Sequence, residues 1–197
     1  MMQKDLALFD FDGTITKKDS FIELIKYYKG TRSFYTGLIL LSPFLLLYKA
    51  GIIKNWRTKE LVFTYFFKNE PHDIFKNRCK EFCLNVIPSL IKPSALEAIE
   101  NHIKNGDRVV IISASFEDVL TNWCELMQID LIGTRITVKK GLITGKIEGK
   151  NCYGDEKVKR LKEAIDIRQF SEIYAYGDSI GDLPLLKLAD HSFYRYF

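Results

Sequence analysis

The sequence has few cysteines and no long uninterrupted apolar run. Its 197 residues include four cysteines, at positions 79, 83, 124 and 152, and they fall in no paired pattern of the kind that staples small secreted domains. The opening Met1-Met2-Gln3-Lys4-Asp5 lacks the apolar stretch of a signal peptide. Both absences lead us to expect a reducing, cytoplasmic setting. The most apolar segment, Thr36 to Tyr48 (TGLILLSPFLLLY), is too short to span a bilayer and is broken by Pro43, so no transmembrane segment is expected. Histidines number three. Cys79 and Cys83 lie one helical turn apart near His72 and His102, but no second close pair completes a zinc set, and core cysteines are the better reading. Internal repeats and low-complexity tracts are also lacking.

What is present is the composition of a globular protein, with 47% hydrophobic and 27% charged residues. The length suits one domain with an insertion better than two large domains. The net charge of +4 comes from lysines and arginines spread along the chain. It marks no nucleic-acid patch, but it favours a small anionic substrate.

The most informative segment is Phe9-Asp10-Phe11-Asp12-Gly13-Thr14. Leu6 to Phe9 read as a buried strand, and side chains alternate along a strand, so Asp10 and Asp12 leave its end on the same side. Gly13 permits a sharp turn. Two carboxylates held so close need a cation to stay ionised together, or one of them has its pKa raised and keeps a proton. An Asx-type polar turn is the competing reading of these residues alone. A calcium loop is excluded, because an EF-hand counted from Asp10 would need glycine and glutamate where Ile15 and Phe21 stand.

Two further apolar runs end in polar clusters: Val109 to Ile112 before Ser113-Ala114-Ser115, and Ile173 to Tyr176 before Gly177-Asp178-Ser179-Ile180-Gly181-Asp182. Helical patterns separate the runs, at Pro93 to Asn105 with Gly106 after it, Phe116 to Met127, Asp155 to Ile165 and Leu183 to Leu188. The expected fold is therefore α/β, a Rossmann-like parallel sheet flanked by helices, with functional residues beyond the carboxyl ends of the strands. Residues 17–92 are far more than one crossover helix needs, and they are assigned to an inserted α-helical cap, leaving 1–16 and 93–197 as the α/β core. Within the cap, Thr36 to Tyr48 is read as a buried helix pair turning near Ser42-Pro43, with an interfacial membrane contact or an apolar substrate wall as alternatives. Arg135 to Val138 is expected to pair with the strand between Gly141 and Gly149, and the aromatic C-terminus to add an edge strand or to join subunits.

Asp10-x-Asp12-Gly-Thr, Ser113, Lys157 at a helix start, and Gly177-Asp178-x-x-x-Asp182, in that order and with the inserted helices, resemble the haloacid dehalogenase-like (HAD) phosphohydrolases, in particular their phosphoserine-phosphatase-like branch, subfamily IB. The resemblance implies Mg²⁺ held by Asp10, the Asp12 carbonyl and Asp178, with Asp182 as direct or water-mediated support. It implies Asp10 as the nucleophile that forms an aspartyl phosphate and Asp12 as the acid and then base. Ser113 and the Ala114 N–H would bind phosphoryl oxygens, and Lys157 would neutralise them and hold Asp10. The second aspartate favours phosphatase or mutase chemistry, and net hydrolysis is the expected outcome, on a small or amphipathic phosphorylated metabolite.

Two departures separate the chain from phosphoserine phosphatases: Asp19 stands near an expected cap glutamate, and Ser113-Ala114-Ser115 replaces Ser-Gly-Gly. Asp19 is a candidate for a substrate amine or for a helix cap. Arg57 and Lys59 are candidates for a substrate carboxylate or second phosphate, or simply solvated surface residues. The rival reading is a non-catalytic interaction module that uses its apolar cap segment against a membrane or a partner protein.

Overall fold

The computed structural model describes residues 4–197. The chain begins with β1 (Leu6–Phe9), then runs through five helices, α1 (Ser20–Lys29), α2 (Thr31–Lys49), α3 (Asn55–Phe67), α4 (His72–Asn85) and α5 (Ile87–Leu90), before α6 (Pro93–Asn105) leads into β2 (Arg108–Phe116). The remainder alternates: α7 (Glu117–Met127), β3 (Asp130–Lys139), β4 (Leu142–Glu148), α8 (Asp155–Ala164), β5 (Ile173–Gly177), α9 (Leu183–Leu188) and β6 (His191–Tyr194). The strands form one sheet in the order β4-β3-β2-β1-β5-β6. All neighbours are parallel except β3 and β4.

β1 is central, and all four of its residues are fully buried. Alternate side chains go to opposite faces: Ala7 and Phe9 join one apolar cluster with Val109 and Ile111, while Leu6 and Leu8 join another with Val110, Ile112 and Ala175. Each fully buried aliphatic or aromatic side chain contributes about 1.5–3 kcal/mol, so a strand this short is held by its two covered faces rather than by its length. Because β2, β1 and β5 are adjacent and parallel, with Phe9 in register with both Ile111 and Tyr176, their carboxyl ends finish side by side. Asp10 and Asp178 follow directly from the ends of β1 and β5, and Ser113 lies in the last part of β2, two residues beyond the Ile111 that is level with Phe9.

The chain leaves and re-enters the sheet region at one place. Thr16 and Ile91 form an antiparallel bridge, Lys17 N donates to the Leu90 carbonyl at 2.8 Å, and Lys92 N donates to the Ile15 carbonyl at 2.8 Å. Between these points α1–α5 pack around an aromatic cluster that includes Phe21, Phe63, Phe67 and Phe75 and reaches Phe116 at the end of β2. α3 touches β4 closely at Gly145, whose φ is +83° and whose missing side chain leaves room for Thr64.

The structure differs from the sequence-based expectation in several places. β2 does not stop at Ile112 but continues through Ser113-Ala114-Ser115 to Phe116, with a register shift against β3 that re-aims the serine segment. α2 is one helix through Pro43, not a pair with a turn at Ser42-Pro43. Proline removes the N–H that would bond the Ile39 carbonyl, and the Ser42 hydroxyl supplies the missing donor at 2.7 Å. Nor is α2 buried, since only Phe34, Gly37 and Leu41 on it are. The aromatic C-terminus does form the edge strand β6, parallel to β5. Cys79 and Cys83 are buried, His72 pairs with Asp118 at 2.6 Å, and His102 pairs with Asp107 at 2.7 Å.

Candidate active site

Asp10 is the first residue beyond β1 and is anchored by its N–H, which donates to the Tyr176 carbonyl at 2.9 Å. Lys157, on the first turn of α8, is 1% exposed and donates to Asp10 Oδ1 and to Asp182 Oδ1, each at 2.6 Å. Burial works against the lysine's charge, and the two carboxylates outweigh it, so its pKa is raised. Burial pushes the Asp10 carboxyl up to about 7; Lys157 pulls it down, while Asp182 and Asp12 add to the rise.

Asp12 lines the same cavity as Asp10, but its partners are different. Its Oδ1 accepts the Ser20 N–H at 2.6 Å and its Oδ2 accepts the Ser115 hydroxyl, which also contacts the Ser20 hydroxyl at 3.0 Å. Burial, and after it the charge of Asp19, pushes Asp12 up to about 6, against the pull of the Ser115 and Ser20 hydrogen bonds. The neighbouring charge that acts most on Asp12 is thus Asp19, not Asp10. Asp19 itself is the N-cap of α1, accepting the Ile22 N–H at 2.9 Å, and it also lines the cavity.

On the other flank the Thr14 hydroxyl lies between Asp10 Oδ2, at 3.4 Å, and Asp178 Oδ1, at 3.3 Å. Gly13, at φ +85°, makes this approach possible, because a Cβ there would stand 2.4 Å from Asp178 Oδ2. Carboxylate oxygens of Asp10, Asp178 and Asp182 lie within 4.8 Å of one another. Both Asp182 oxygens are already engaged. Oδ1 holds Lys157, while Oδ2 accepts the Asp178 N–H at 3.2 Å, the Ser179 N–H at 2.9 Å and the Ser179 hydroxyl at 2.7 Å. Asp182 lies in a 3₁₀ turn, Ile180–Asp182, and occupies the space that a side chain on Gly177 would take.

A cavity of about 440 Å³ opens over these groups, with Asp10, Asp12, Ser113, Ala114 and Lys157 along its floor. Its other wall comes from the helices after β1, notably Phe34, Leu38 and Leu45 on α2, with Tyr48 at the end of that helix and Val62 on α3. The two basic candidates on α3, Arg57 and Lys59, separate. Lys59 is in this cavity, donating to the Ala114 carbonyl and standing 4.3 Å from the Phe116 ring centre, and burial lowers its pKa to about 8. Arg57 lies elsewhere, over Trp56 and in a groove with Glu60 and Lys146.

Sequence reasoning passed over Ser20, Ser115 and Ser179, which fix the carboxylates, and over Asn151 and Tyr153, which line the cavity. Position after a functional carboxylate was the signal for Ser20 and Ser179. Nothing in the local pattern singled out Asn151 or Tyr153, which arrive from the loop after β4.

The oxygen set formed by Asp10 Oδ2 and Asp178, flanked by the Thr14 hydroxyl, fits a hard divalent cation such as Mg²⁺. These acids carry more negative charge than the single Lys157 balances, which a dication would correct.

The family model for haloacid dehalogenase-like hydrolase matches residues 7–187. Protein CicA of Caulobacter vibrioides is 34% identical over 98% of this chain and 86% of its own length. The histidinol-phosphatase of Neisseria meningitidis is 27% identical over 94% of this chain and 87% of its own. Among solved structures, a Bordetella pertussis protein of unknown function superposes with a TM-score of 0.80 at 23% identity, covering 95% of this chain and 88% of that one. A phosphoserine phosphatase captured as an analogue of its phospho-aspartyl intermediate superposes at 0.65 with 21% identity, covering 95% and 84%. At these identities the structural likenesses establish the fold alone.

Proposed function

Because this phosphatase belongs to the haloacid dehalogenase-like hydrolase family, we propose that it hydrolyses a small or amphipathic phosphate monoester with Mg²⁺ bound, through an aspartyl phosphate on Asp10. The observation that carries this reading is the juxtaposition of Asp10 and Asp12, each gripped by a different set of partners.

Asp10, Asp178 and the Asp12 carbonyl would hold the ion, which supplies charge neutralisation for an anionic ester approaching a carboxylate. Lys157 fixes Asp10 by one oxygen and brings positive charge to the floor of the cavity. An Asp10 oxygen attacks phosphorus, the P–O bond to the alcohol breaks, and the departing oxygen takes its proton from Asp12. Burial keeps Asp12 able to hold that proton near neutrality. Water then attacks the same phosphorus while Asp12 accepts its proton, and phosphate leaves with Asp10 restored. Ser113 and the Ala114 N–H are assigned to the phosphoryl oxygens. Asp182 acts as a positioning residue for Lys157 and the Asp178 turn. We read residues 17–92 as a cap over the site, with its apolar wall facing the leaving alcohol.

The direct test is turnover of p-nitrophenyl phosphate at neutral pH. Activity is expected with millimolar Mg²⁺, to be lost on EDTA treatment and to return with Mg²⁺; absence of turnover at every Mg²⁺ concentration would overturn the reading. Mg²⁺ should also raise the melting temperature, because a ligand that binds only the folded state stabilises it.

Lys59 is the group placed to meet a second anionic group on the substrate. Its charge is present below about pH 8 and fades above. For such a substrate, Lys59→Met should raise KM about tenfold at pH 7 with little change in kcat, and the gap should close above pH 9. The unfolded lysine titrates at 10.5, so between pH 8 and that value the unfolded chain binds more protons and the wild type gains stability as pH rises. Lys59→Met should lack that rise in a melting-temperature profile.

A further inference from the structure

No aspartate or glutamate occurs between Glu23 and Glu60, a stretch that contains the whole of α2. The exposed cations of this stretch, Arg32, Lys49, Lys54 and Arg57, have no carboxylate partner among the described residues, whereas Lys26 and Lys29 are paired with Glu23 and Glu70. The acids that bound the stretch are occupied, Glu23 by Lys26 and Glu60 by Lys146 and the Ile147 N–H.

α2 has two faces. The inner one carries the buried Phe34, Gly37 and Leu41 and the cavity-lining Leu38 and Leu45. On the outer one, residues 32, 36, 39, 40, 43, 46 and 47 follow helical spacing, so Arg32, Ile39, Leu40, Leu46 and Leu47 share one side. Ile39 is 72% exposed, Leu40 59% and Leu46 66%, and Ile52 in the turn beyond is 70% exposed. Leaving this much aliphatic surface in water is costly, and its density on one helix marks a binding face rather than scattered surface residues. Among the described residues no single helix is long and apolar enough to cross a membrane, and α1 meets α2 at a bend of 117°. An outer face of leucine and isoleucine that carries Arg32, with Lys49 in the last turn and Lys54 and Arg57 just beyond the helix, none of them paired with an acid among the described residues, suits a helix lying in the plane of a bilayer surface.

We propose that the outer face of α2, with the turn at Ile52, docks on the surface of an anionic phospholipid bilayer. Its apolar side chains enter the acyl boundary while Arg32, Lys49, Lys54 and Arg57 meet the headgroups. A second copy of the chain is the poorer occupant, since a two-fold contact sets the same surface against itself and would oppose these cations with no acid between them. The inner face of the docked helix lines the cavity, so the active site is held close to the headgroups.

Vesicle flotation tests this with the full chain. The protein is expected to float with phosphatidylcholine vesicles containing roughly one third phosphatidylglycerol, to stay behind with pure phosphatidylcholine, and to release as salt rises. Ile39→Glu with Leu46→Glu should weaken flotation about tenfold or more, with p-nitrophenyl phosphate turnover and melting temperature unchanged. Arg32→Glu with Lys54→Glu, which leaves the apolar side chains intact, should lose binding to a similar degree and carries the test should the first pair fail to fold. Absence of flotation by the wild type, or equal flotation by both variants, overturns the proposal. So does a concentration-dependent dimer in sedimentation that Ile39→Glu with Leu46→Glu dissolves while vesicles leave the wild type unbound. Because the readout is binding, failure of the phosphatase reading would show separately, as absent turnover by a protein that still floats.

Discussion

Asp10→Asn should lower turnover of p-nitrophenyl phosphate by about 10⁴-fold or more. An amide matches the carboxylate in shape and keeps an oxygen for the Lys157 ammonium, but it cannot supply the anionic oxygen that bonds to phosphorus. The loss should fall on kcat, because the cavity walls and Lys59 are untouched. Acid quenching of the wild type during turnover should leave a phosphoryl adduct on the peptide containing Asp10, and the variant should show none. The fold should survive, since Lys157 retains its 2.6 Å ion pair with Asp182 and the replacement removes one of three closely placed buried or half-buried acids. Turnover within tenfold of the wild type, with no adduct in either protein, would remove Asp10 from the chemistry.

The parts of this arrangement that could be read from the chain were those dictated by local periodicity. Leu6 to Phe9 is continuous and apolar because both faces of β1 are covered. Gly106 ends α6 in a left-handed conformation, at φ 82°, as its place after Asn105 suggests. The separate order of Asp10, Ser113 and Asp178 became a site through topology, since parallel neighbours bring strand ends together. What local pattern could not supply was partner choice. Asp182 has the spacing of a helical neighbour to Asp178, yet it lies in a 3₁₀ turn, and the N–H groups of Asp178 and Ser179 just before that turn, together with Lys157, occupy both its oxygens. Arg57 and Lys59 are two residues apart and chemically alike, but helical geometry turns one toward Trp56 and the other into the cavity. Pro43 suggested a break because the compensating Ser42 hydroxyl is visible only once the helix is built. Apolar content alone does not say whether a segment is covered, and α2 carries its leucines on both faces.

Lys157→Met should give the largest loss of stability together with a loss of about 10³-fold in turnover. The methionine matches the lysine stem in volume, so the change isolates the charge. Without it, Asp10 and Asp182 are left as neighbouring buried carboxylates, and breaking a buried pair in this way costs about 3–5 kcal/mol. For a chain of this size that lowers the melting temperature by roughly 10 °C. The deficit should depend on pH with a definite sign. Asp10 stands at about 7 even with Lys157 pulling it down, and removing the lysine raises it further. A carboxyl whose folded pKa lies above its unfolded value of 3.8 binds more protons when folded, so stability falls as pH climbs from that value through the folded pKa. Measured in EDTA, the variant should therefore be closest to the wild type near pH 5 and furthest from it at pH 8. Adding Asp182→Asn to Lys157→Met should restore part of the lost stability. The asparagine oxygen can still accept from the Ser179 N–H and hydroxyl, while one of the two stranded charges is gone. Such a rescue is the opposite of additive loss. A double variant less stable than Lys157→Met alone, or a deficit that does not change with pH, would show that Lys157 acts through packing and not through its charge.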